Sequence, residues 1–248
     1  MLSKAQIKYI QSLQHKKYRQ KSGQFIAEGD KIVPELLQEG IPVQEVYATA
    51  AWISTHRSLL DRTPGVRVTE VEESVLKQLS ALTTPNQALA LLDIPGSAQV
   101  APGSLKGTVS LALETIQDPG NLGTIIRIAD WFGIRQIICS PDCVDAYNPK
   151  TIQATMGSIA RVSVLESDIV TLLQQAGVPS YAATLHGTNI TEFSKLKEGI
   201  ILIGNESRGL SEAVIAASTY KITIPKLGGA ESLNAGVAAG IICGRLLV

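Results

Sequence analysis

Ile224-Pro225-Lys226-Leu227-Gly228-Gly229-Ala230-Glu231-Ser232-Leu233-Asn234 ends a short expected strand, Lys221 to Ile224, and opens an Ala- and Gly-rich helical stretch, Leu233 to Leu247. A strand that stops at a proline and resumes as a helix is a corner of an α/β sheet, where free backbone groups and helix N-termini face one crevice. Two further polar, glycine-bearing segments occupy similar places. Gly204-Asn205-Glu206-Ser207-Arg208-Gly209-Leu210 follows the apolar run Gly199 to Ile203, and Gln117-Asp118-Pro119-Gly120-Asn121-Leu122-Gly123 runs into Ile125-Ile126-Arg127. Three such segments predict one composite pocket assembled from distant parts of the chain.

The runs around these corners set the fold class. Val109 to Leu113, Gln136 to Cys139, Ala160 to Leu165, Ser180 to Leu185, Ile200 to Ile203 and Lys221 to Ile224 read as strands, many nearly continuous in apolar residues as buried parallel strands are. Helices fit between them at Gly123 to Phe132, Pro149 to Met156, Asp168 to Gln175 and Leu210 to Ala217, which predicts a mostly parallel sheet covered on both faces. Before residue 93 a smaller alternation recurs, with strands at Phe25 to Ala27, Val43 to Ala48, Val66 to Thr69 and Gln87 to Leu92. Helices are expected there at Lys4 to Leu13, Asp30 to Gln38, Ala51 to Leu60 and Glu72 to Leu79. Two Pro-Gly pairs between 93 and 107 mark a boundary. The expected organisation is an α/β domain over 1–96, a linker over 97–107 and an α/β domain over 108–248.

The 248 residues carry 45% hydrophobic content and balanced charge, with 22 basic and 22 acidic side chains. Zero net charge argues against a protein that coats nucleic acid nonspecifically, but its distribution is uneven. Lys4, Lys8, Lys16, Lys17, Arg19 and Lys21 precede the first acid, Glu28. Such a cluster either neutralises phosphates locally or is simply a solvated helix and turn. Cys139, Cys143 and Cys243 are too few and too odd for a disulfide framework, and Cys139 and Cys143 lack the companions of a zinc site, so no metal is expected. No run approaches the roughly 18 apolar residues of a membrane span, and the N-terminus does not read as a signal peptide; a cytoplasmic protein is expected.

Within the first segment, Leu122, Ile125, Ile126, Ala129 and Phe132 form the buried stripe of a helix, which leaves Arg127 off the core face. Arg127 reads equally as a solvated arginine, and Asn121 as a cap or turn residue. Glu206 lies among glycines that let a ligand approach the backbone, or else favours the N-terminus of the following helix. Ser232 is a natural N-cap. Ala235, Gly236, Ala238, Ala239 and Gly240 cost helix propensity, roughly 1 kcal/mol for each interior glycine, and permit very close packing.

Taken together, the segments resemble the SpoU (TrmH-type) RNA ribose methyltransferases of the SPOUT class. That family's pattern is Asn-x-Gly-x-x-x-Arg, Gly-x-Glu-x-x-Gly, and Ile-Pro-x-x-Gly with Ser-Leu-Asn. It is met here by Asn121, Gly123 and Arg127, by Gly204, Glu206 and Gly209, and by Ile224, Pro225, Gly228, Ser232, Leu233 and Asn234. Ala235 and Gly236 stand where many relatives have Val-Ser. Phe25-Ile26-Ala27-Glu28-Gly29 and the basic helix before it resemble the ribosomal-protein-L30e-like substrate-binding domain common in this family.

The resemblance implies a C-terminal trefoil knot, a homodimer whose subunits complete each other's sites, and S-adenosylmethionine as cofactor. It places the cofactor against Ile203, Gly204, Ile224 and Leu233, with Leu185 and Gly187 as a further wall. It assigns catalysis to Arg127, with Asn121, Glu206, Ser232 and Asn234 holding the site. RNA contacts are expected at Lys16, Lys17, Arg19 and Lys21. The implied reaction is methylation of a ribose 2′-hydroxyl, with ribosomal RNA the expected target; a tRNA 2′-O-methyltransferase and a non-catalytic RNA-binding relative are the alternatives. A Rossmann dehydrogenase is disfavoured because no Gly-x-Gly-x-x-Gly follows the first strand.

Overall fold

The structure is a computed structural model that describes residues 2–96, 100–101 and 103–248. Part of the expected linker, residues 97–99 and 102, lies outside the described residues. The chain forms two compact units, Met1–Gly96 with Asp145–Ala160, and Ser97–Val144 with Arg161–Val248. The stretch 145–160, read from sequence as part of the second α/β domain, thus packs with the first unit.

In the first unit, α1 (Lys4–Ser12) starts at Ser3, whose hydroxyl accepts from the Gln6 N–H while the Gln6 side chain accepts from the Ser3 N–H. A second short helix, α2 (Lys16–Ser22), leads into β1 (Gln24–Glu28), α3 (Ile32–Gln38), β2 (Val43–Ala48), α4 (Ala50–Thr55) and α5 (Arg57–Leu60). β3 (Arg67–Glu70), α6 (Glu73–Leu79) and β4 (Ala88–Asp93) follow. The sheet order is β1-β4-β2-β3, antiparallel except for the parallel pair β2 and β3. Strand alternation sorts its core into two layers. Leu89 and Leu91 face Ile10, Leu13, Leu76 and Leu79, whereas Ala90 and Leu92 face Val33, Leu36, Trp52 and Ile152. Ile152 comes from the stretch 145–160, and so does Tyr147, whose ring centroid lies 4.8 Å from that of Phe25.

Arg19 is the correction this unit makes to the expected RNA-binding set. It is 1% exposed, with Nε and Nη2 donating to Asp145 and Nη1 donating to the Leu13 carbonyl at 2.8 Å. A guanidinium so enclosed is out of reach of a phosphate and acts as a structural tie. Lys16, Lys17 and Lys21 are exposed.

The second unit is a six-stranded, wholly parallel sheet. Its elements are β5 (Val109–Leu113), α7 (Pro119–Trp131) and β6 (Gln136–Cys139), then α8 (Pro149–Thr155) within the stretch that joins the first unit, then β7 (Ser163–Glu166) and α9 (Ile169–Gln175). β8 (Ser180–Asn189), β9 (Gly199–Ile203), α10 (Glu212–Ala217), β10 (Tyr220–Thr223) and α11 (Ala235–Leu247) complete it. The strand order is β10-β8-β9-β5-β6-β7. The central strands β5 and β9 are buried along their whole length, in keeping with sequences that are apolar but for Ser110. From β5 the chain winds one way through β6 and β7, then crosses to β8 and returns to β9 beside β5. The C-terminal ends of β5 and β9 therefore form a topological switch point, and the segments 117–123 and 204–209 leave the sheet there.

α11 packs on α7 through glycines spaced four apart. A Cβ at Gly236 would lie 3.0 Å from Thr124 Cγ2, one at Gly240 3.6 Å from Ile128 Cδ1, and one at Gly244 3.5 Å from Phe132 Cζ. Each glycine meets one residue of the matching i, i+4, i+8 row on α7, which is why the helix keeps residues that weaken it in isolation. Among the described residues no helix is long and apolar enough to cross a membrane.

Candidate active site

The divergence of the chain after β5 and β9 brings Asn121 and Glu206 together. Asp118 caps α7 by accepting from the Asn121 N–H at 2.8 Å, with Pro119 in the first turn, where its missing N–H costs nothing. That cap fixes Asn121 at the helix entrance, where its side-chain Nδ2 donates to the Glu206 carboxylate. Asn234 joins from the third segment, with Nδ2 donating to Asn121 Oδ1 at 2.8 Å. Asn234 Oδ1 in turn accepts from the N–H groups of Gly236 and Val237 at 2.9 and 3.2 Å. Asn234, not Ser232, is therefore the N-cap of α11, and Ser232 is exposed two residues earlier.

The loop that carries Glu206 is closed on itself. Asn205 and Gly209 exchange backbone hydrogen bonds of 3.1 and 2.8 Å, and a Cβ at Gly204 would lie 2.3 Å from the Gly209 carbonyl carbon, so only glycine fits there. Asn205 was not singled out in the sequence, yet it ties the loop together. Its Oδ1 accepts from the N–H groups of Ser207 and Arg208, and its Nδ2 donates to the Thr115 carbonyl at 3.0 Å. Thr115, at the end of β5, has φ of +58°, a left-handed backbone that is a true outlier for a β-branched residue. Such a conformation costs about 1–3 kcal/mol and persists only where neighbours over-determine it. Here Ser140 Oγ accepts from the Thr115 N–H at 2.9 Å, and Asp142 accepts from its hydroxyl at 2.6 Å. Ser140 Oγ also donates to Asp142, and the two hydroxyl donations, from Ser140 and Thr115, hold the Asp142 carboxyl below its ordinary value, so it stays an ionised anchor.

Beside this network lies a cleft of about 1000 Å³, lined by the ends of β8, β9 and β10 and by the segments 204–210 and 224–233. Leu185, Ile203, Gly204, Glu206, Ile224, Ser232 and Leu233 line it. Gly187 lies at the seam between β8 and β10, where a Cβ would come 2.7 Å from the backbone of Lys221. Asn121 and Asn234 reach the cleft through Glu206. Arg127 is not in its wall; it is exposed on α7 and has no hydrogen-bond or ion-pair partner among the described residues.

The wall of the cleft suits a nucleoside-bearing ligand. Two of its apolar side chains, Leu185 at 67% exposure and Leu227 fully exposed, are open to a ligand, while the strand ends offer backbone donors and acceptors. Thr184 Oγ1, in the same wall, is buried with no hydrogen-bond partner among the described residues. Such an orphan hydroxyl is what a bound polar group satisfies.

Comparison with known proteins places this arrangement. The SpoU rRNA methylase family matches residues 108–244. The chain belongs to that family. An MRM3-like substrate-binding domain matches residues 4–90. Over 240 residues this SpoU-family chain is 29% identical to the Bacillus subtilis 23S rRNA (guanosine(2553)-2′-O)-methyltransferase RlmP, covering 95% of this chain and 93% of that protein. It is 35% identical to a Porphyromonas gingivalis protein assigned to the TrmH family of RNA methyltransferases, with a TM-score of 0.87 over 100% of this chain and 98% of that one. It is 28% identical to the S-adenosylmethionine-bound rRNA methyltransferase of Sinorhizobium meliloti, with a TM-score of 0.86 over 99% and 95% of the two chains. These likenesses span both units.

Proposed function

We propose that this chain transfers a methyl group from S-adenosylmethionine to a ribose 2′-hydroxyl of ribosomal RNA. The observation that carries the reading is the hydrogen-bonded chain Asn234, Asn121, Glu206, which joins all three family segments at the switch point beside the cleft. The cofactor's sulfonium supplies an electrophilic methyl. Gly204, Ile224 and Leu233 would hold it by backbone contacts and Leu185 and Ile203 by apolar ones, while the glycine at 187 lets β8 and β10 close the wall.

What remains for the protein is to align a weakly acidic hydroxyl and stabilise the oxygen as its proton leaves. Arg127 is assigned that task. A guanidinium carries five donors and no acceptor, so it acts as a phosphate anchor and oxyanion stabiliser and not as a base. Glu206, held by Asn121, and Ser232 with its free hydroxyl orient the ribose. Support for rRNA comes from the names of the relatives and from the substrate-binding domain that precedes the methylase domain.

The exposed position of Arg127 supports a homodimer in which each subunit's arginine serves the other's cleft. Along the same faces of α7 and α11 lie Trp131, 84% exposed, with Val237, Ile241 and Val248 also open to solvent. An apolar strip of this kind on two packed helices fits a second copy of itself across a two-fold axis. The reading also carries the trefoil knot: β10 pressed on Gly187 and α11, whose Leu246 carbonyl accepts from the Leu196 N–H at 2.7 Å, are the segments it involves.

Incubating the protein with labelled S-adenosylmethionine and separate rRNA and tRNA pools tests the reading. Label in rRNA supports it. Label confined to tRNA overturns the target, and cofactor binding without transfer to naked or ribosomal RNA overturns the activity.

A further inference from the structure

The corner formed by α1 and α2 carries two exposed aromatic rings that methyl transfer does not use. Tyr9 is 39% exposed and Tyr18 45% exposed. On α1, Tyr9 shares the solvent half of the helix with Lys4 and Lys8; on α2, Tyr18 lies next to Lys21 by helical spacing (i, i+3), and Lys21 next to Lys17 (i, i+4). A hydrogen-bonded network already engages Tyr9, Ser22 and Gln24 at this corner. The Tyr9 hydroxyl donates to Gln24 Oε1 at 2.5 Å, and Gln24 Nε2 donates to Asp93 at 2.8 Å. Ser22 Oγ accepts from the Gln24 N–H at 3.2 Å and donates to the Tyr18 carbonyl at 2.9 Å. Asp93, the acid of this network, also accepts from the Gln44 amide. The rings of Tyr9 and Tyr18 and the side chains of Lys4, Lys8, Lys17 and Lys21 stand open to solvent around it.

We propose that Tyr9 and Tyr18 form a stacking platform for unpaired bases of the substrate RNA, with Lys8, Lys17 and Lys21 holding the flanking phosphates. The inference rests on the reading of this chain as one that acts on RNA. An aromatic face set among lysines is sequence-tolerant toward bases and attracts the backbone between them, and it needs bases that are out of a helix, because A-form duplexes bury theirs. Tyr9 is pre-positioned by Gln24, so little side-chain freedom is lost when a base stacks on it. The His15 ring, 6.4 Å from that of Tyr18 and tilted 57° to it, extends the aromatic surface.

The test is fluorescence anisotropy of the full chain with an end-labelled oligoadenylate of about ten nucleotides and with a blunt RNA duplex of the same length, over a range of salt. Wild type is expected to prefer the single strand. Tyr18→Ala and Tyr9→Ala should each weaken that binding by about tenfold without changing its salt slope, whereas Tyr18→Phe keeps it. Lys17→Ala with Lys21→Ala should lower the slope by about 1.4. Equal binding by wild type and both alanine variants, a preference for duplex, or the same loss in Tyr18→Phe as in Tyr18→Ala overturns the platform. If the platform fails while rRNA is still methylated, the enzymatic reading stands; if wild type neither binds the RNA nor methylates rRNA, both fall.

Discussion

The side-chain amide of Asn121 donates to the carboxylate of Glu206 across 85 positions of sequence. The bond exists because β5 and β9 are neighbours whose chains depart in different directions, so two loops with no local relation share one crevice. A charge-assisted bond of this type is worth about 1.5–3 kcal/mol, and partners in one network couple. Asn121→Ala and Glu206→Ala are each expected to lower kcat/KM about ten- to a hundredfold, and the double variant should lose much less than the product. A double-mutant cycle on methyl transfer checks this; strictly multiplicative losses would separate the two residues functionally.

Two glycines should respond in opposite ways to the same substitution. Gly204→Ala places a Cβ 2.3 Å from the Gly209 carbonyl carbon, so the loop 204–209 must open and cofactor binding should fall below detection by calorimetry. Gly240→Ala meets nothing closer than Ile128 Cδ1 at 3.6 Å, an ordinary contact, and should be neutral or stabilise by up to about 1 kcal/mol through helix propensity.

Asp145 holds a guanidinium that is 1% exposed. Removing it leaves Arg19 buried and uncompensated, a loss of about 3–5 kcal/mol in comparable buried pairs. Asp145→Ala is therefore expected to unfold the first unit at distinctly lower temperature. If thermal unfolding were unchanged, the tie between Arg19 and Asp145 would carry no structural weight.

Glu28 sets a pH dependence. Burial lifts its carboxyl above the ordinary 4.5, only partly offset by hydrogen bonds from Ser80 and the Ala81 N–H. A carboxyl raised in the folded state favours folding below its unfolded pKa, and that contribution is lost as pH rises through the folded value. Glu28→Gln keeps an acceptor without the charge, so its melting temperature relative to wild type should rise as pH is raised from about 4 toward 7. A difference that stays flat with pH would remove Glu28 as the source.

Most of the architecture was legible because its physical cause is local. Val109–Leu113 and Gln136–Cys139 are nearly continuous apolar runs, each with one polar residue, and buried parallel strands require little else. α2 was not legible: it is seven residues long, and the residue it buries is Arg19, which inverts the polar-out pattern on which helix reading relies. The membership of 145–160 in the first unit has no sequence signal, because it depends on Ile152 and Tyr147 finding a core more than fifty positions away. At the site, Asn121, Glu206 and Asn234 stood out through their glycine-bearing segments. Thr115 and Asn205 did not, since a left-handed threonine and a loop-tying asparagine are visible only once three strands are in register.

The measurement that bears most directly on the central claim is mass-spectrometric mapping of ribose methylation in rRNA after incubation with S-adenosylmethionine, wild type beside Arg127→Ala, with cofactor binding measured on both. A single 2′-O-methylated position made by wild type and lost by at least about a hundredfold in Arg127→Ala, with cofactor affinity kept, is the expected result. Near-normal turnover by Arg127→Ala, or a methyl group mapped to a base instead of a ribose, would contradict the account.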